Sequence, residues 1–261
     1  VFLFAVPAQP VPLVSRRHLG SDRAYRDWVR PRQGEVRYQV AMEQTDLLVV
    51  AEADLRDEMA AHVALVRGEI KNWILFHPEF AASLTPVEVG EGAPQVVRAM
   101  ADAAARCGVG PMAAVAGAVA QAVAERFVER SPNIIVENGG DIYLCSTRER
   151  VVALLAEPES GARLGLRLAA DAFPVSVCSS SGTIGHSLSL GSGDLVAVRA
   201  RDARFADAAA TALGNLLRGP GDIRRVLDRA AELAGHGLDG VFAQYDAKIA
   251  AWGDMELVAL E

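Results

Sequence analysis

From Asn133 onward the chain breaks into short apolar runs separated by turn residues, and this spacing constrains the fold more than any other feature. Ile134–Val136, Ile142–Cys145, Val151–Leu155, Leu164–Leu168, Val175–Cys178 and Leu195–Arg199 each have strand length and meander-like intervals. Helical apolar spacing brackets them. Upstream, Leu55–Phe76 places Met59, Val63, Val66, Ile70 and Ile74 at helical intervals, and Pro78 stops it. Two Ala-rich helices are expected over about Pro94–Arg106 and Pro111–Arg130, with Pro111 suited to a first helical position after Gly110. Downstream, helices are expected over Arg204–Leu217 and Ile223–Ala234, then strands over Gly240–Gln244 and Met255–Leu260. Val36 to Ala53 reads as one or two strands. Helices grouped between strand runs predict an α+β fold, a largely antiparallel sheet with helices packed on it, and not alternating βαβ units.

A chain of 261 residues, 51% hydrophobic, can bury a sizeable core. Residues 1–35 read as an N-terminal extension and 36–261 as a single domain. The apolar start, Val1–Val14, lacks a basic n-region, so an extension or an upstream start is preferred over a signal peptide. Residues 15–38 interleave seven arginines, Arg26 among them, with Tyr25, Trp28 and Tyr38. A phosphate-contacting arm and a solvated lead-in to the first strand are both consistent with that pattern; Asp22, Asp27 and Glu35 dilute the charge and favour the second. The formal charge of −7 argues against nucleic-acid binding. Val109–Ala124 is too short and too mildly apolar for a membrane span and reads as a buried helix. Cys107, Cys145 and Cys178 show no C-x-x-C pairing, which suits a reducing, cytoplasmic compartment. The oligomeric state is open, a homodimer included.

Two loops carry the candidate chemistry. Glu137-Asn138-Gly139-Gly140-Asp141 has the Gly-Gly of a hairpin turn, for which positive φ is expected, flanked by polar groups able to converge on a ligand. Ser179-Ser180-Ser181-Gly182-Thr183-Ile184-Gly185-His186-Ser187 offers hydroxyls and glycine amides suited to an anion. It lacks the Lys of a Walker A loop and precedes a strand, not a helix. His186 is a candidate acid or base. If both loops serve one ligand, Ser180–His186 should line the main pocket within reach of Asn138–Asp141. Downstream, Asp207 and Thr211 lie one helical turn apart and could share one hard cation. The helix after Pro111 carries a stripe of tiny residues, Ala113, Ala116, Gly117, Ala120 and Ala124. Close packing on a sheet explains it, and so does a flat ligand against its first turns. His62 and His77 read as structural.

In combination these phrases resemble the ApbE-like superfamily, whose best-known members transfer FMN from FAD onto protein threonines with magnesium. The likeness runs from about Thr45 to the C-terminus. In flavin transferases a small-residue helix precedes a strand ending Asn-x-Gly-Gly-Asp. A Thr-Ser-Gly loop, a His and a helix opening Ala-Asp-Ala-x-Ala-Thr follow. Here these are Pro111–Ala124, Asn138–Asp141, Ser180-Ser181-Gly182, His186 and Ala206–Thr211. The chain looks closer still to a shorter, cytoplasmic branch, on the phrases Val109–Gly117, Glu137–Asp141, Ser180–Ser187 and Trp252-Gly253. The resemblance implies a T-fold-like architecture and a phosphate-bearing (flavin or nucleotide) or carboxylate ligand. It implies Mg2+ and FAD or FMN as cofactors. Asn138, Gly139, Gly140, Asp141, Ser180, Ser181, Gly182, Thr183 and Gly185 would be ligand-binding, His186 catalytic, and Asp207 and Thr211 metal-binding. It also raises a second function, a non-catalytic accessory role in sulfide assimilation and homocysteine formation. Two departures matter. The transferases carry Lys-Gly where this chain has Ala116-Gly117, and His-Ile-Ile-Asp-Pro where it has His186-Ser187-Leu188-Ser189-Leu190. FMN transfer is therefore expected to be weak or absent.

Overall fold

A computed structural model of the chain describes residues 2–5, 26, 29–154, 163–181 and 193–260. In chain order the elements are β1 (Phe2–Ala5), β2 (Val36–Met42), β3 (Thr45–Ala51), α1 (Arg56–Phe76), α2 (Pro78–Ala82), α3 (Gln95–Cys107) and α4 (Val115–Phe127). Then follow β4 (Ile134–Asn138), β5 (Asp141–Cys145), β6 (Arg150–Leu154), β7 (Arg163–Leu168), β8 (Val175–Ser180) and β9 (Leu195–Ala200). The chain closes with α5 (Ala203–Leu216), α6 (Ile223–Leu233), β10 (Leu238–Tyr245), β11 (Lys248–Gly253) and β12 (Glu256–Leu260).

Among the described residues the strands form two antiparallel sheets: nine strands in the order β1-β11-β10-β9-β8-β5-β4-β3-β2, and three in the order β12-β7-β6. Side chains alternate across each strand, and the two cores follow that alternation. Ile134, Val136, Tyr143, Cys178, Val196, Val198, Val241 and Ala243 face the helices α1, α3, α4, α5 and α6. Leu144, Val175, Val177, Leu195, Ala197 and Phe242 face the small sheet, packed on its Val152, Leu154, Leu166 and Leu168. The α+β expectation holds, with a helix layer on one side of a central sheet.

The structure differs from the sequence reading in local detail. The helix expected from Pro111 begins as a 3-10 turn, Pro111–Ala114, before α4 proper. It ends at Phe127 rather than Arg130. Gly110 sets this entry, because a Cβ there would stand 1.9 Å from the Ser83 carbonyl oxygen. β11 pairs with β10 in a hairpin that the sequence pattern did not single out, its Ala250-Ala251 pair diluting any alternation. Phe2–Ala5, read from sequence as part of an extension, pairs antiparallel with β11. Glu35 is anchored too: its carboxylate is paired with Arg150, with Arg148 2.9 Å away. His62 lies edge-on to Phe127 and His77 stacks on Trp73 at 3.9 Å, both packing roles. No single helix among the described residues is long and apolar enough to cross a membrane.

Candidate active site

The β4–β5 hairpin supplies one wall. Asn138 and Asp141 pair across the turn, and Gly139 and Gly140 take φ of 70° and 107°. Positive φ at both central residues is what a two-residue turn needs to match strand twist, and glycine adopts it without a Cβ clash. Alternation then sorts the polar side chains. Asn138 and Asp141 face the helix layer; Glu137, one residue before Asn138 on β4, faces away. Asn138 reaches α4, its Nδ2 donating to the Ala116 carbonyl at 3.1 Å.

β8 lies beside β5 and brings the serine loop to the same place. The Ser179 amide donates to Asp141 Oδ1 at 3.2 Å, and Ser179 Oγ donates to the Gly140 carbonyl at 3.1 Å. Cys178 faces the helices, its Sγ 3.6 Å from the Ala203 carbonyl. Ser180 abuts α5 at Gly214, where a Cβ would lie 2.9 Å from Ser180 Oγ. Ser181 follows, half-buried. Gly182, Thr183, Gly185 and His186 lie outside the described residues.

α5 supplies the opposite wall. Asp202 caps it, accepting the amides of Arg204 and Phe205 at 2.9 and 3.3 Å. This fixes the rotation that turns Asp207 inward, buried, with Thr211 half-buried one turn on. Asp207 Oδ2 accepts the Gly117 amide at 2.9 Å. That amide belongs to the first turn of α4, and the start of a helix favours an anion.

Asp141 on β5 and Asp207 on α5 are both buried, and the Asp141 charge acts on Asp207. Burial pushes the Asp141 carboxyl up to about 7, aided by the Glu137 charge and opposed by the Ser179 amide and the Cys178 thiol. Burial raises Asp207 well above the ordinary carboxylate range; the Asp141 charge adds to this, and the Gly117 and Ala116 amides oppose it. Burial likewise drives the Cys178 thiol upward, followed by the charges of Asp141 and Asp207. Two buried carboxyls whose charges act on each other are relieved by protonation or by a cation. Among the described residues no group of three or more His, Cys, Asp and Glu side chains forms a metal cluster. The oxygens of Asp207, Thr211 and Asp141 still suit a hard cation whose shell is completed by water or ligand phosphate.

A cavity of about 690 Å3 lies elsewhere, between α3, α5 and α6, lined by Cys107, Asn215, Arg224, Arg225 and Arg229 among others. Among the described residues, none of the expected site residues lines it. The structure does bring the Ser179–Ser180 end of β8 against the Asn138–Asp141 turn. Sequence reasoning passed over three residues of the site. Gly117 is the sole glycine of α4, a signal read only as part of a small-residue stripe. Cys178 carried no motif. Arg26, which pairs with Glu137 of the hairpin at 2.6 Å, was one of seven arginines in its segment.

Residues 26–237 match the family model described as AbpE bacteria. The UPF0280 protein of Methanopyrus kandleri is 42% identical over 199 residues, covering 75% of this chain and 79% of that protein. The UPF0280 protein of Archaeoglobus fulgidus is 34% identical over 230 residues, 85% of this chain and 94% of that one. The ApbE protein of Thermotoga maritima superposes with a TM-score of 0.54 at 12% identity, covering 84% of this chain and 97% of that chain. The flavin transferase ApbE of Vibrio cholerae superposes with a TM-score of 0.50 at 12% identity, covering 84% and 96%. The fold is that of the ApbE proteins, and the chain belongs to the ApbE-like family described as AbpE bacteria, with the archaeal UPF0280 proteins among its relatives.

Proposed function

We propose that the protein binds a phosphate-bearing ligand, a flavin or nucleotide, together with Mg2+ where the Gly139-Gly140 turn, the end of β8, the first turn of α4 and the inner face of α5 converge. The observation that carries this reading is the pair Asp141 and Asp207, two buried carboxyls on separate elements, one accepting the Ser179 amide at the end of β8 and the other the Gly117 amide at the start of α4. Asp207, Thr211 and Asp141 would hold the cation, which supplies charge neutralisation for phosphate oxygens. Asn138, Gly139, Gly140, Ser180 and Ser181 would orient the ligand. In the resemblance Gly182, Thr183, Gly185 and His186 extend the same loop.

The chain's own residues favour binding over transfer. Ala116 stands where the flavin transferases carry a lysine, and its carbonyl is engaged by Asn138. A role as a ligand-binding or accessory protein in sulfide assimilation and homocysteine formation, with the pocket kept and the transfer step absent, is the second reading that this substitution supports. FAD is the first probe of the site, with AMP and FMN beside it.

The test is a melting curve with FAD alone, Mg2+ alone and both together. The pair should shift the midpoint where neither does alone, by the equivalent of about 2.7 kcal/mol at a hundredfold excess over Kd. Asp207→Asn keeps an oxygen for the Gly117 amide while removing the charge, so it should fold and lose the metal-dependent shift. A shift that survives the substitution unchanged overturns the assignment.

A further inference from the structure

Glu137 binds both Arg26 and the Gly140 amide. Oε2 takes the Arg26 guanidinium, with Nε donating at 2.7 Å and Nη2 at 2.6 Å. Oε1 accepts the Gly140 amide at 2.7 Å. Arg26 in turn grips the start of β3, with Nη1 donating to Asp46 Oδ1 at 3.0 Å and Nη2 to the Asp46 carbonyl at 2.7 Å. The Arg26 and Glu137 side chains are 8% and 6% exposed. Gly140 sits at φ 107°, and the next residue is Asp141. A single chain of bonds therefore runs from β3 through Arg26 and Glu137 to the turn of the candidate site.

We propose that Arg26 is a positioning residue for the Gly139-Gly140 turn, acting through Glu137 to hold the Gly140 peptide and the Asp141 carboxyl behind it. The role in binding rests on the reading that this turn serves the ligand. A buried carboxylate is held in place when a cation and hydrogen bonds satisfy its oxygens. A carboxylate accepting a backbone amide makes a charge-assisted bond, stronger than a neutral one. The guanidinium fork reaches Glu137 and both Asp46 acceptors at once, which the single ammonium of lysine cannot do with the same geometry. A turn held in advance needs less ordering when a ligand arrives.

Amide exchange of the full chain tests the relay without any ligand. Arg26→Ala should speed exchange at Gly140 by about tenfold or more, the loss expected for one charge-assisted hydrogen bond. Gly108, whose amide closes α3 on the Ala105 carbonyl, should be unaffected. Added guanidinium ion should restore protection at Gly140. Unchanged protection at Gly140, or equal acceleration at Gly108, overturns the proposal. If Arg26→Ala does not fold, Glu137→Gln probes the other end of the relay, and Gly140 protection equal to the wild type overturns it there. The second arm titrates FAD in the presence of Mg2+. Arg26→Ala should weaken binding about tenfold with guanidinium rescue, and wild-type affinity in the variant overturns the role in binding. A wild-type chain that takes up no FAD sinks the ligand reading alone, and the exchange arm still decides the relay.

Discussion

The amide of Gly117 donates to Oδ2 of Asp207 at 2.9 Å, joining the first turn of α4 to the second turn of α5. The contact is possible because position 117 has no side chain. A Cβ there would stand 2.1 Å from the Ala203 carbonyl oxygen and 3.0 Å from Asp207 Cβ. The glycine and the aspartate are thus one device: close backbone approach lets the helix-start amides reach a buried carboxyl.

Gly117→Ala is expected to be destabilising although alanine is the better helix former. The gain in propensity is about 1 kcal/mol. The clash is with a backbone carbonyl, which no rotamer change relieves, so α4 and α5 must move apart. A net loss of about 1–3 kcal/mol is expected, in the range of overpacking substitutions. Urea unfolding of the variant and the wild type measures it, and equal midpoints would show that the helices separate at no cost.

The chain displays its two site loops openly but hides what locks them. Asn138-Gly139-Gly140-Asp141 is legible because a tight turn between apolar strands demands glycine with positive φ, and both glycines have it. The helices are legible from apolar spacing, to within a residue or two at α3, α5 and α6. The pairing of Asp207 with Gly117 is not, because it depends on how two helices settle on one sheet and leaves no local pattern. Glu137 reads as a site residue like its neighbours, yet strand alternation turns it away from them and toward Arg26. The Arg26 contact is invisible for a further reason. In a segment dense with arginine, spacing alone does not distinguish the one that finds a buried carboxylate.

The three cysteines should be inert in the native protein. All are free and buried. Burial pushes the Cys107 thiol up to about 12 and the Cys145 thiol to about 11, and raises Cys178 well above its ordinary value. Thiolate, not thiol, is the reactive form. Titration with an aromatic disulfide reagent at mildly alkaline pH should detect no thiol before the chain opens, and three per chain after denaturation. Rapid labelling of Cys178 in the folded protein would contradict its place between β8 and α5.

Stability should fall as pH rises through neutrality, and Asp141 should account for part of the fall. Its folded value, about 7, lies above the 3.8 of an ordinary aspartate, so between those values the folded chain holds a proton that the unfolded chain has released. Stability from this group is therefore complete below the ordinary aspartate range and is lost as pH rises through about 7. Cys178 and Asp207 share its side of the sheet, the Glu137 charge acts on it from the other side, and Asp207 titrates in the same direction. The metal-free wild type should lose more stability between about pH 5 and pH 8 than Asp141→Asn does, since the amide carries no proton to lose. Parallel curves for the two proteins would remove Asp141 from the account.

Flavin transfer should be absent even where flavin binds. Moving FMN from FAD to a threonine hydroxyl breaks the pyrophosphate and builds negative charge on phosphate oxygens. A positive group aimed at that charge contributes on the order of a hundredfold or more to such a step. Position 116 offers only the methyl group of alanine, and its backbone carbonyl, already held by Asn138, repels an anion. The acid and proline of the flavin transferases are also replaced, by Ser189 and Leu190, in a segment outside the described residues. Incubation with FAD, Mg2+ and a threonine-containing acceptor peptide should leave FAD intact, with no AMP released and no flavin fluorescence on the peptide. The same preparation should still give the FAD- and Mg2+-dependent melting shift, which separates a silent transferase from an empty site. Covalent flavin on the peptide at a rate typical of enzymes would show that the chain supplies its positive charge from elsewhere.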